Sequence, residues 1–229
     1  MKIVGMIPAR MGSKRIKLKN IRYLDNKPLI QYAIDLAKAS NKFTEIYVNS
    51  ESAILEKFAF QHGTKFHRRP DSLSTDTSTN QDFTREFLEK HECDYVIMIN
   101  STSPLLRLET LEQFIDFVQK NKFDTVLSVV DEYAECFYNG ETLNFTTAEK
   151  INSQNLTPVR KVVWAITAWK RDSFLKACET GCGVFNGSIG CFPIPKDECC
   201  DLDTLEDWAI AEGMLEARKK RSEAEYWHE

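Results

Sequence analysis

Apolar residues along this chain fall into two alternating rhythms, and the rhythms predict its elements. Continuous runs rich in Val and Ile read as strands buried on both faces: "KIVGMIP" at 2–8, "EIYVNS" at 45–50, "DYVIMIN" at 94–100 and "FDTVLSVV" at 123–130. Between them, apolar positions three and four apart read as helices. In "PLIQYAIDLAKAS" (28–40), Leu29, Ile30, Ala33, Ile34 and Ala37 share one stripe, with Pro28 at the first helical position. "ESAILEKFAFQHG" (51–63) is a helix closed by Gly63, "TKFHRRP" (64–70) a short strand ended by Pro70, and "NQDFTREFLEKH" (80–91) a helix. In "LETLEQFIDFVQKN" (108–121) the stripe is Leu108, Leu111, Phe114, Ile115 and Val118.

This alternation predicts a single three-layer α/β domain over residues 1–229. Its sheet is mostly parallel, "DYVIMIN" is central, and ligands belong at the carboxyl ends of the strands. The rhythm breaks between about 131 and 160. There Asn139-Gly140, flanked by aromatics, predicts a small projecting hairpin that covers a ligand site or meets a second subunit. "KVVWAITAWK" (161–170) returns to a strand, "RDSFLKACETG" (171–181) to a helix and "GSIGCFPIP" (187–195) to a strand. A last helix runs from about 203 into "EARKKRSEAEYWHE".

Composition bounds the rest. The chain is 42% hydrophobic, enough for a sizeable core. It has no run of about 18 apolar residues, so no spanning helix is expected. "MKIVGMIPAR" lacks the apolar length of a signal peptide, which makes the cytoplasm the expected location. The seven cysteines show no zinc spacing and are expected as small buried hydrophobes. His62, His67, His91 and His228 form no constellation.

Charge changes the picture more. The net charge is −4, yet residues 10–27 carry Arg10, Lys14, Arg15, Lys17, Lys19, Arg22 and Lys27 against Asp25 alone, while 197–216 carry eight acids and no base. A basic face confined to one loop suits a small polyanion better than a nucleic acid. Glycine loops between a first strand and its helix hold phosphates through inward backbone N–H groups. Here six residues separate Gly5 from Gly12 and Ser13 precedes Lys14, which excludes a P-loop; a Rossmann G-x-G-x-x-G is also absent.

The loop "IPARMGSKRIKLKN" resembles the signature of the acylneuraminate cytidylyltransferases, usually I-P-A-R-G-G-S-K followed by K-N, with Met11 here in place of the first paired glycine. Three later segments resemble that family in the same order: "RRPDSLSTDTST", "INSTSPLLR" and "DLDTLEDWAIAE". The resemblance implies a Rossmann-like, nucleotidyltransferase-type fold and a homodimer, with 131–160 reaching toward the partner. It implies transfer of CMP from CTP to a 2-keto-3-deoxy sugar acid with release of pyrophosphate. The acid could be an N-acetylneuraminate, legionaminate, pseudaminate or Kdo-type molecule. A different acid acceptor, or a non-catalytic nucleotide-binding regulator, are the alternatives; neither nucleic acid nor membrane is an expected partner.

By the same resemblance Arg10 and Lys19 contact the phosphates as catalytic groups. Ala9, Gly12, Ser13 and Lys14 line their cradle, Asn20 holds the ribose or base, and Arg69 faces the cytosine. Asn100 and Thr102 lie among the nucleotide contacts, though Asn100 stands where the family usually has glutamine. Asp201 and Asp203 are assigned to Mg²⁺, Asp203 also to catalysis. Plainer readings stand beside these. Arg15 and Lys17 can form a solvated face, Arg69 a surface ion pair, and Ser101, Thr102 and Ser103 helix caps. Asp203 can cap a helix with Glu206 three residues on. Arg160 and Lys161 fall where the family shows Asn-Gly near its acid pocket; they add positive charge for an acid or cap an exposed strand end.

Overall fold

The computed structural model describes residues 1–220. The strands are β1 (Ile3–Pro8), β2 (Tyr23–Leu24), β3 (Lys27–Pro28), β4 (Glu45–Ser50), β5 (Lys65–Arg68), β6 (Tyr95–Ile99), β7 (Thr125–Glu132), β8 (Phe137–Tyr138), β9 (Glu141–Thr142), β10 (Val159–Lys170) and β11 (Ile189–Pro193). The helices are α1 (Leu29–Ala39), α2 (Ala53–Gln61), α3 (Asn80–Lys90), α4 (Leu108–Asn121), α5 (Arg171–Thr180) and α6 (Leu205–Lys219). Seven strands form one sheet in the order β11-β7-β10-β6-β1-β4-β5. Every pairing is parallel except those of β10, which runs antiparallel to both β6 and β7. The mostly parallel three-layer sheet expected from the pattern is therefore present, with β6 at its centre.

Side-chain alternation along the strands builds two cores. Ile3 and Ile7 of β1, with Tyr95, Ile97 and Ile99 of β6, face one side and meet α1, α2 and α4. Val4 and Met6, with Val96 and Met98, face the other and meet Phe83 and Phe87 of α3 and Phe174 of α5. A third cluster lies beyond the sheet, where Ile16, Leu24 and Leu29 pack against Leu202, Trp208 and Ala211.

Some expectations shift. Pro28 is the N-cap of α1, not its first residue; it closes the short β2–β3 ladder, so helical geometry starts one position later. The last helix is capped by Thr204, whose hydroxyl and backbone N–H bond Asp207, so the capping box lies one residue past the Asp203–Glu206 pair. Its continuation into 221–229, with His228, lies outside the described residues. Asn139 and Gly140 both take positive φ and join β8 to β9 as expected. The cysteines are not core residues: six are half-buried and Cys182 is exposed. They flank the clusters, as Cys93 and Cys178 do beside α3 and α5.

Candidate active site

The loop after β1 is tied down at four points. Ala9 N–H bonds the carbonyl of Asn49 at 3.0 Å and Met11 N–H bonds the carboxylate of Glu51 at 2.8 Å. Ile16 inserts into the third cluster. Asn20, buried, donates to the Arg10 carbonyl at 2.9 Å, and its Oδ1 lies 2.8 Å from Ser101 Oγ, which reaches the Pro8 carbonyl at 2.9 Å. That hydroxyl has one proton, so it serves one acceptor at a time. Leu18 takes the left-handed region at φ 54 as the chain turns into Lys19–Ile21. The pinning leaves Arg10, Ser13, Lys14, Arg15 and Lys19 along one wall of a cavity of about 570 Å³.

The segment 201–203 borders the same cavity, beside the basic loop. It lies outside the strands and helices, and Asp201 and Asp203 both line the cavity. Leu202 N–H bonds the Thr102 carbonyl at 2.9 Å, and the Thr102 hydroxyl donates to Asp201. Lys19 Nζ lies 2.6 Å from the Leu202 carbonyl and 3.2 Å from Asp203, while Arg15 reaches Asp203 at 2.9 Å. Desolvation first, and then the charge of Asp203, hold the Asp201 carboxyl above the usual carboxylate range.

The floor comes from the carboxyl ends of β4, β5 and β6. Arg69 is 3% exposed, with Nε on Asn49 Oδ1 at 2.8 Å, Nη2 on the Asn49 carbonyl at 2.9 Å and its guanidinium 4.2 Å from the Phe83 ring centroid. No carboxylate pairs with it among the described residues, which corrects the surface ion pair that was the plainer reading. Burial pushes its pKa down to about 10, so it stays charged at neutral pH. Asn100 also lines the cavity, but its Oδ1 is 3.3 Å from Thr102 N–H and shapes the turn there.

The structure thus brings together Ala9, Arg10, Ser13, Lys14, Lys19, Asn20, Arg69, Asn100, Thr102, Asp201 and Asp203. Gly12 is the exception. It is exposed and outside the lining, and a Cβ there would meet only the Arg10 side chain at 3.5 Å. Its carbonyl accepts from Arg10 at 3.2 Å instead. Asn20 lines the wall with its amide committed to the loop. Arg160 and Lys161 also miss the cavity, pairing with Asp131 at 3.2 Å and Glu132 at 3.9 Å on the neighbouring strand. Lys17 is exposed, as the plainer reading had it.

Sequence reasoning missed Arg15 as a cavity residue, and although it singled out 68–79 it gave no role to Thr75, Asp76 or Ser78, which line the cavity. The hydroxyl density of 72–79 was the available signal. It also missed a buried relay: Glu86 lies 2.7 Å from His67 Nε2, and His67 Nδ1 lies 2.9 Å from His91 Nε2. With Glu86 ionised, His67 donates to it and accepts from His91.

A cytidylyltransferase family model matches residues 4–166. N-acylneuraminate cytidylyltransferase A of Danio rerio is 31% identical over 215 residues, which is 92% of this chain and 50% of that protein. Pseudaminic acid cytidylyltransferase of Campylobacter jejuni subsp. jejuni is 30% identical over 229 residues, 92% of this chain and 95% of that protein. The chain spans about half the length of the acylneuraminate relatives named first by similarity, from 49% to 54%. In fold, it superposes on a CMP:2-keto-3-deoxy-manno-octonic acid synthetase complexed with CTP. The TM-score is 0.71 and the identity 19%, over 96% of this chain and 100% of that one.

Proposed function

We propose a function from one premise: the chain belongs to the acylneuraminate cytidylyltransferase family. The reaction is transfer of CMP from CTP to a 2-keto-3-deoxy sugar acid of the nonulosonate class, with release of pyrophosphate. The observation that carries it is the meeting, in one cavity, of five basic side chains and the Asp201–Asp203 pair.

A triphosphate repels an oxygen nucleophile until its charge is neutralised, and positioning supplies most of the rest. Arg10, Lys14 and Lys19 face the phosphates, Ser13 adds a hydroxyl, and Arg69 presents its remaining N–H groups to the base side from a rigid seat on Asn49 and Phe83. The acceptor's own hydroxyl attacks the α-phosphorus.

Asp201 and Asp203 suit Mg²⁺. Both are hard oxygen donors lining one cavity. Two carboxylates fit an ion that takes its other ligands from water and phosphate. When bound, Mg²⁺ supplies charge neutralisation on the transferring phosphoryl group.

The assembly is proposed to be a homodimer, supported by Tyr133, Phe137, Tyr138 and Leu143, all exposed on the 131–160 excursion. The cytoplasm is the proposed compartment: all seven cysteines are free, and no described helix is long and apolar enough to cross a membrane. Pyrophosphate release with CTP and Mg²⁺, across a panel of N-acetylneuraminic, legionaminic, pseudaminic and Kdo acids, tests the reading. Release with one acid names the acceptor; no release with any acid and no CTP binding by calorimetry would sink it.

A further inference from the structure

Asp76 reaches across the cavity mouth from the Ser/Thr loop and uses both carboxylate oxygens. Oδ1 lies 2.8 Å from Arg10 Nη2, and Oδ2 lies 2.5 Å from Lys14 Nζ. Those are two of the cations that face the phosphates, and one anion bridging two cations from the same loop is what a phosphate group does there. The Lys14 and Arg10 hydrogen bonds hold the Asp76 carboxyl below the usual range, in that order of effect.

The loop carrying Asp76 is built to move. One end is fixed by Arg69, whose N–H bonds the Ser50 carbonyl at 2.9 Å, and the other by Thr79, which forms a capping box with Asp82 on α3. Leu73 and Ser74 N–H close a turn onto the Pro70 and Asp71 carbonyls at 2.9 and 3.0 Å, but beyond it the ties are hydroxyl contacts: Thr75 Oγ1 lies 3.0 Å from Thr77 Oγ1 and 2.9 Å from Ser78 Oγ, and Ser78 Oγ lies 3.3 Å from the Ser72 carbonyl. Among the described residues, no backbone N–H of 75–78 donates to another backbone carbonyl outside helices and strands. Such a segment opens at little free-energy cost.

We propose that Asp76 is a built-in competitor of the substrate's phosphates: its carboxylate holds Arg10 and Lys14, and a polyphosphate that takes them expels the loop. Binding of the nucleotide is then coupled to opening of 74–78, and Asp76 sets the affinity threshold. The inference rests on the proposed reaction only for the identity of the polyphosphate.

Calorimetry with inorganic tripolyphosphate and separately with CTP tests it on wild type, Asp76→Asn, Asp76→Ala and Asp71→Asn. Asp71 is an exposed acid of the same loop outside the cavity lining, so its variant controls for loss of charge alone. Expected is a roughly three- to tenfold tighter tripolyphosphate affinity for both Asp76 variants, with Asp71→Asn within about twofold of wild type. Amide exchange at 74–78 should quicken in wild type on adding tripolyphosphate, and already be fast in Asp76→Ala. Equal gains for the Asp71 and Asp76 variants, unchanged or weaker binding in the Asp76 variants, or no tripolyphosphate binding at all would each overturn the proposal. A tripolyphosphate result as expected, with CTP binding to none of the proteins, would leave the competitor standing and remove the cytidylyltransferase reading instead.

Discussion

Lys19 and Asp203 meet at 3.2 Å in the cavity wall, and the same ammonium takes the Leu202 carbonyl at 2.6 Å. One cation thus registers the basic loop against the acidic segment 183 residues further along the chain. Lys19→Met removes both the registration and a charge proposed to face the phosphates. It should lower kcat/KM by roughly 100- to 1000-fold in a pyrophosphate-release assay while far-UV circular dichroism is unchanged. A rate within a few-fold of wild type would show that the charge sits outside the reaction.

Arg69 makes a different kind of prediction. Its fork is held by two Asn49 oxygens and its face by Phe83, so charge alone does not define it. Arg69→Lys keeps the charge and loses the planar two-point seat. CTP affinity should fall roughly tenfold or more by calorimetry, with tripolyphosphate affinity changing less, because Arg69 is proposed to serve the base side. Equal losses for both ligands would place Arg69 among the phosphate contacts.

Acid should destabilise the protein through His67 and His91. Desolvation is the leading cause in both, pushing His91 down to about 4, with the neighbouring His67 adding to it, and His67 down as well despite Glu86. Both native pKa values lie below the ordinary 6.5 of an unfolded histidine. The unfolded chain therefore binds more protons between about pH 6.5 and pH 4. The stability is complete above 6.5 and is lost as pH falls toward 4. Tm should drop between pH 7 and pH 5, and His91→Gln should shrink that drop by roughly 2–5 °C. Parallel Tm profiles for the two proteins would contradict it.

Gly187 offers a test of the fold away from the cavity. It sits at φ +58, and a Cβ there would lie 2.3 Å from Asp124 Oδ2 and 2.7 Å from its Cβ. Asp124 in turn accepts from Ser173 at 2.6 Å and from Ser188 N–H at 2.9 Å, so it has no room to yield. Gly187→Ala should destabilise by about 1–3 kcal/mol in denaturant titration, with the nucleotide affinity of the folded protein unchanged.

Much of this could be read from the residues. The continuous apolar runs at 3–8 and 95–99 and the apolar stripes of α1 and α4 reported burial directly, and burial is what a pattern encodes. Direction is not encoded. "KVVWAITAWK" reads the same for a parallel or antiparallel strand, so the reversed run of β10 was invisible. Capping was misplaced by one residue because Asp203–Glu206 and Thr204–Asp207 are both acceptable boxes, and only the turn geometry selects between them. Motif spacing found the cavity's cations but not Arg15 or Asp76. Their roles come from partners far away in sequence, Asp203 for one and Arg10 with Lys14 for the other.

The reversed strand has a consequence for how the protein is made. β10 stands between β6 and β7 and is paired with both, yet it is the tenth of eleven strands along the chain. A ribosome that has released residues only as far as Leu156 has exposed β6-β1-β4-β5 on one side and β7 on the other, with no strand to join them. The sheet becomes continuous only when a late segment threads between two early ones, kinked where Trp164 takes φ 47 and the register with β7 shifts. Until then one edge of β6 and both edges of β7 lie open to any other chain nearby.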